Sequence, residues 1–273
     1  MSTLYLVATP IGNLEDISAR AIRILKEARL IAAEDTRHTL KLLTHFDVHT
    51  PLISYHEHSK LSRLDEVLAG LSQGDVALVS DAGTPALNDP GYELVRAALD
   101  AGHAVSPVPG PSAPIAALTA SGLPTDAFLY LGYLPRKRND RLMKLGELAH
   151  QPYTLIFLES PHRLLDALED LLAILGDRSC AIARELTKLH EEIFRGNLSV
   201  ACAHFAAQTA RGEFTLVVDG YHPQAKARWS EAQVRAAAQG GRESGETPSE
   251  IAKRLAAESG WERREIYRMI GKS

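Results

Sequence analysis

Cysteine is scarce in this chain of 273 residues, with two in all, and aromatic residues make up only 6%. Cys180 and Cys202 sit in apolar surroundings at no metal-ligand spacing. That excludes a disulfide framework or a cysteine zinc site and predicts reduced core residues of a cytosolic protein. No apolar run approaches the ~20 residues of a membrane span. Met1-Ser2-Thr3 leads into a strand pattern with no basic n-region, so a soluble cytoplasmic protein without signal peptide or membrane contact is expected. There is no G-x-x-x-x-G-K-[ST], and Thr9-Pro10-Ile11-Gly12 lacks the glycines of a dinucleotide fingerprint. A phosphate cradle is therefore disfavoured. The formal net charge of -4 excludes a polycation, although the stretch after Tyr221 is basic, with ten Lys/Arg against seven Glu. Such a tail suits either a polyanion or water.

Against these absences stands one informative loop. Ser80 to Gly91 reads S-D-A-G-T-P-A-L-N-D-P-G and follows the apolar run Val76 to Val79. Leu4 to Ala8 ends in the same manner in Thr9-Pro10-Ile11-Gly12-Asn13, and Ala104 to Val108 in Pro109-Gly110-Pro111-Ser112-Ala113. Ligands of open α/β sheets bind where strands end in such loops, so three junctions of one kind predict one shared cleft. Asp81 would repel a phosphate. An acidic, backbone-rich loop fits a cationic or amino-acid-bearing ligand, and S-adenosylmethionine, with its sulfonium and ammonium, is compatible.

Strand and helix patterns alternate through the first 121 residues, which argues for a parallel sheet covered on both faces. Gly122-Leu123-Pro124-Thr125 reads as a boundary. Five further strand patterns with fewer helices predict a mixed sheet over 122–222. Residues 222–228 read as a linker within a third segment, 223–273. There, helical pattern starts near Ser230, Thr247-Pro248-Ser249-Glu250 forms a capping box, and Gly260 separates two short helices, as in a helix-turn-helix pair.

Charged residues gather where strands end: Glu34, Asp35 and Arg37; Glu159 and Arg163; Glu185 and Lys188. Charge in such positions is costly unless paired or wet. Cleft chemistry and structural ion pairing both explain it. Arg136-Lys137-Arg138, with Arg141 and Lys144, forms a basic cluster fit for nucleic-acid phosphates or for a solvated loop.

Five segments in order carry a resemblance: Leu6 to Leu14, Ala33 to Arg37, Ser80 to Pro85, Pro109 to Ala113 and Leu158 to Arg163, joined by Glu185-Leu186-Thr187-Lys188. Together they resemble the ribosomal RNA methyltransferases of the tetrapyrrole methylase superfamily, over Leu4 to about Gly220. The resemblance implies an α/β, two-domain tetrapyrrole-methylase-like fold (class III methyltransferase) with a small C-terminal helical module, and a homodimer. It implies S-adenosylmethionine as cofactor and 2′-O-methylation of a cytidine ribose in the decoding region of small-subunit (16S) ribosomal RNA. By the same resemblance Asp81, Ala82, Gly83 and Thr84 hold the methionine part. Ser112 and Ala113 lie beside the cofactor, and Leu158, Thr215 and Leu216 line the adenosine pocket. Glu159 or Glu185 as base, with Arg37 holding a phosphate, is the working assignment. Arg136, Lys137, Arg138 and the C-terminal module are the expected RNA contacts. Methylation of a tetrapyrrole such as a precorrin is the alternative, and an effector-binding helix-turn-helix regulator is a third reading.

Overall fold

The computed structural model describes residues 2–56, 60–208, 211–223 and 228–271. The chain divides into two compact units, Met1–Tyr221 and His222–Ser273.

The larger unit holds two five-stranded sheets. The first contains β1 (Thr3–Val7), β2 (Leu30–Ala33), β3 (Leu52–Ser54), β4 (Val76–Val79) and β5 (Ala104–Val108), in the order β3-β2-β4-β1-β5. All its pairings are parallel. In β4 every residue is buried, because successive side chains point to opposite faces and both faces are covered. Ala77 and Val79 meet Ile24 and Leu25 of α1 (Ala19–Glu27) and Leu42 and Leu43 of α2 (Thr36–His45). Val76 and Leu78 meet Val67 and Leu71 of α3 (Lys60–Leu71) and Leu94 of α4 (Tyr92–Asp100). The chain leaves β1 toward one sheet edge and leaves β4 toward the other. The crevice between these adjacent strands is thus a topological switch point.

The second sheet contains β6 (Phe128–Tyr133), β7 (Thr154–Glu159), β8 (Ser179–Arg184), β9 (Glu192–Asn197) and β10 (Phe214–Val218), in the order β6-β7-β10-β8-β9. Only β6 and β7 run parallel; the other pairs are antiparallel. One face packs on α6 (Arg138–Leu148), α7 (Leu164–Leu175) and α8 (Leu198–Ala206). The opposite face packs on α5 (Ala113–Ser121), through Ala117 and Leu118 against Ile156, Ala181 and Val217. Sequence reading groups α5 with residues 1–121, yet its apolar contacts are with the second sheet.

In the smaller unit, α9 (Glu231–Glu243), α10 (Pro248–Ser259) and α11 (Arg263–Ile270) enclose Val234, Ile251, Leu255, Ile266 and Ile270. Ser230 with Gln233 and Thr247 with Glu250 form capping boxes. Gly260 closes α10 at φ 68°, the left-handed conformation that frees the chain to reverse. The pair expected around Gly260 is α10 and α11, with α9 completing a three-helix core.

Candidate active site

Three loops of the first sheet are tied together by hydrogen bonds. Thr9 and Gly83 exchange backbone bonds of 2.9 and 3.0 Å. Thr9 Oγ1 donates to the Ser80 carbonyl at 3.2 Å, and Thr84 Oγ1 to the Pro111 carbonyl at 3.2 Å. Gly83 takes φ +81°, where a side chain is disfavoured, and a Cβ there would contact Ile11. The β2 loop joins through Asp81, whose Oδ1 accepts from the Asp35 amide at 3.0 Å.

These loops face the second sheet across a cavity of about 430 Å³, within the range of cofactor sites. Asp81, Ala82, Gly83, Thr84, Ser112 and Ala113 line it from one side, and Leu158 and Thr215 from the other. Leu216 does not. Its side chain is fully buried with Leu155 and Phe157 on the helix-covered face, because neighbours in a strand point to opposite faces. Of the two β10 residues expected at the adenosine, Thr215 lines the cavity and Leu216 lies on the opposite face of the sheet.

The assigned charged residues separate in the same way. Glu185 lines the cavity, with Oε1 accepting from Lys188 Nζ at 2.9 Å. Glu159 does not line it. Its carboxylate is fully buried and accepts from Arg163 Nη2 at 2.9 Å and from the Ser160 amide at 2.8 Å. Arg163 also donates to the Leu134 carbonyl, so Glu159 pins the loop that follows β6 and is a structural ion-pair partner. Arg37 is 89% exposed and bound to Asp35, which caps α2. It too lies outside the cavity lining. In the basic cluster, Arg141 is buried against Asp170 at 2.7 Å and Arg138 bonds the same carboxylate at 3.1 Å. Arg136 and Lys137 stay exposed.

The cavity is acidic. Its charged lining residues are Glu34, Asp81, Asp89, Glu185 and Glu213 against Lys188. Burial, followed by the nearby Asp89 and Asp81, pushes the Glu34 carboxyl above its ordinary range. Burial likewise raises Asp89, with help from Asp81 and Glu213. The Tyr130 and Tyr133 phenols are pushed up to about 12, chiefly by burial, so both are neutral donors at physiological pH. Beside the Asp81–Thr84 loop, which Thr84 ties to Pro111, α5 presents its N-terminus through Ser112, Ala113 and Pro114, and the Ser112 side chain makes no capping bond. Such a terminus favours a carboxylate. The carboxylates suit positive charge and the α5 N-terminus a carboxylate, which together fit the sulfonium, ammonium and carboxylate of S-adenosylmethionine.

Among the described residues, five non-glycine residues have positive φ. Four of them, Ala86, Asn88, Glu185 and Thr187, lie in two loops that border this cavity. Backbone strain of this kind gathers at sites where the surrounding structure holds it. The Glu185 loop is held by the Asn13 amide, which donates to Thr187 Oγ1 at 3.1 Å. It is also held by close fits at glycine: a Cβ on Gly12 would strike Lys188, and one on Gly212 would strike Glu185. Tyr130, Tyr133 and Glu213 lie outside the segments that the sequence marks, while Asp89 stands in the marked loop Ser80 to Gly91 without an assigned role. A signal for the tyrosines was available in Gly132, since a lone glycine inside a strand marks a bulge.

Residues 3–202 match the family model described as Tetrapyrrole (Corrin/Porphyrin) Methylases. The chain is 57% identical, over 80% of its length and 76% of the relative's, to ribosomal RNA small subunit methyltransferase I of Halalkalibacterium halodurans. It is 49% identical to the protein of that name from Synechocystis sp., over 98% of this chain and 97% of the relative. Among solved structures, the native form of uroporphyrin III C-methyl transferase from Thermus thermophilus has a TM-score of 0.56 at 22% identity, covering 79% of this chain and 97% of that one. That likeness concerns the fold. The chain belongs to the tetrapyrrole methylase family and, within it, to the ribosomal RNA small subunit methyltransferase I group, and it is a methyltransferase.

No described helix is long and apolar enough to cross a membrane.

Proposed function

We propose that this methyltransferase uses S-adenosylmethionine to methylate the 2′-hydroxyl of a cytidine in the decoding region of 16S ribosomal RNA, in the cytoplasm and as a homodimer. The observation that carries the reading is the cavity at the switch point, lined by carboxylates and by the α5 N-terminus, in a chain whose relatives are named for ribosomal RNA. When bound, the cofactor supplies an electrophilic methyl on a sulfonium. Asp81 to Thr84 and the α5 N-terminus hold its amino-acid end, while Glu34 and Asp89 face the positive charge. Leu158, Ala183 and Thr215 form the less polar wall for the adenosine.

A ribose hydroxyl is a poor nucleophile, so alignment and proton removal matter. We assign Glu185, which lines the cavity, the second task. Oε1 is occupied by Lys188, which leaves Oε2 to receive the hydroxyl proton, and the strained loop fixes its position. Glu185→Gln is expected to lower kcat by about 10²–10⁴-fold, with cofactor affinity unchanged in calorimetry. Near-normal turnover would remove Glu185 from this role. Arg136, Lys137 and the α11 face carrying Arg263, Arg264 and Arg268 are proposed phosphate contacts.

The decisive experiment supplies methyl-labelled S-adenosylmethionine with small ribosomal subunits, naked 16S RNA or uroporphyrinogen. Label is expected in RNA, within a linkage resistant to alkali because its 2′-oxygen is blocked. Label entering uroporphyrinogen alone would establish the tetrapyrrole alternative. Light scattering should give twice the chain mass, and a monomeric mass would remove the dimer.

A further inference from the structure

The mouth of the cleft differs from its floor in having exposed apolar side chains. Leu87 is 49% and Tyr133 44% exposed, and both line the cavity. Their placement is built into the backbone. In a regular strand Tyr130 and Tyr133, three residues apart, would point to opposite faces. The pairing of β6 with β7 shifts register between them, and Gly132 takes φ +62°. This bulge turns both tyrosines into the same cavity. Asn88 rests on it: a Cβ on Gly132 would lie 2.2 Å from Asn88 Nδ2. The loop segment carrying Leu87 is thereby set against the strand segment carrying Tyr133. Next to them Glu213 Oε1 accepts from the Tyr133 hydroxyl at 3.4 Å. Its Oε2 accepts no hydrogen bond among the described residues.

Building on the proposed RNA reaction, we infer that this lip is the base-reading element: Leu87 and Tyr133 grip the target nucleobase and Glu213 accepts a hydrogen bond from its exocyclic amino group, selecting cytidine over uridine. A base whose ribose must enter this cleft has to leave its stack, and such bases are held between aromatic and apolar side chains. Cytosine presents an N4 amino donor, which a carboxylate accepts. Uracil presents the O4 acceptor in that place, and a carboxylate is acceptor-only. Glu34, Asp81 and Asp89 are assigned to the cofactor and Glu185 to the hydroxyl proton, which leaves Glu213, bonded to Tyr133, as the acidic residue of the lip.

The test compares kcat/KM of the full chain for small subunits bearing cytidine or uridine at the target position, with cofactor affinity measured in parallel. Glu213→Gln supplies an amide donor for O4 and is expected to reduce the cytidine preference at least tenfold. Tyr133→Ala is expected to raise the RNA KM by about 10- to 100-fold, in line with base–aromatic stacking, without changing cofactor affinity. Tyr133→Phe keeps the ring and should keep the KM. An unchanged cytidine-to-uridine ratio in Glu213→Gln would overturn the inference. So would a Tyr133→Ala effect confined to cofactor affinity, which would assign the ring to adenine. A wild-type chain that labels no RNA would instead defeat the proposed function.

Discussion

Glu34 and Asp89 are carboxylates held where charge is uncomfortable, and this sets a pH dependence. Their folded-state pKa values lie above the ordinary ones. A raised pKa means the folded chain binds more protons than the unfolded one between the two values. Their contribution to stability is therefore fully present below the unfolded pKa and lost as pH rises through the folded one. Glu34→Gln and Asp89→Asn should accordingly raise the melting temperature at pH 7–8, with the gain vanishing below about pH 4, where the unfolded-state carboxyls are protonated. The same variants should weaken binding of the cationic cofactor, so calorimetry and melting curves should move in opposite senses. Glu159 behaves differently. Its partner Arg163 is mostly buried, and Glu159→Gln leaves that guanidinium without a counter-charge. A stability loss of about 3 kcal/mol is expected, read from the denaturant midpoint, while turnover per folded molecule is retained.

Among the elements, those with loud local signals were legible. The alternation of strand and helix through the first sheet and the mixed second sheet both follow from the sequence pattern. The strand-end loops gave away the cleft because glycine, proline and small polar residues are needed for loops to approach one another, as Thr9 and Gly83 do. Two helices escaped. α2 begins directly after Asp35 with no glycine or proline to announce it, so its first residues read as loose charges. α6 was hidden by its arginines. The buried Arg141–Asp170 pair shows that part of this basic cluster is interior structure, and pairing with a distant residue leaves no local trace. The bulge in β6 has a local sign in Gly132, but what it does is not legible there, because it depends on Asn88, more than forty residues earlier. Gly132→Ala forces a side chain into positive φ and onto Asn88, and it should cost at least about 1–2 kcal/mol, checked by chemical denaturation. The tyrosines on either side should also lose their alignment, lowering kcat/KM for RNA.

At the scale of the whole molecule, charge is divided by task. The cavity is acidic, while α11 of the smaller unit carries exposed Arg263, Arg264, Tyr267 and Arg268. Elsewhere in that unit Arg228, Arg235 and Arg254 are engaged by glutamates. If the α11 arginines contact phosphates, Arg264→Ala with Arg268→Ala should weaken binding of ribosomal RNA whatever its sequence. The slope of log K against log salt should flatten by between about 1 and 2, the release of two contacts' counterions. Filter binding across a salt series measures this, and an unchanged slope would place the RNA contacts elsewhere.

The place of β10 bears on how the enzyme comes into being. It is the last strand of the larger unit, yet it lies in the middle of its sheet, between β7 and β8. A chain emerging from the ribosome can complete the first sheet once β5 is out, but the second stays split until residues 214–218 arrive. Glu213 and Thr215 arrive with that strand. A nascent or prematurely terminated chain therefore carries half a cleft and an open sheet centre, a species prone to aggregate. Activity is expected only after this late insertion, so a chain cut just before Glu213 should be a client of chaperones rather than a weak enzyme.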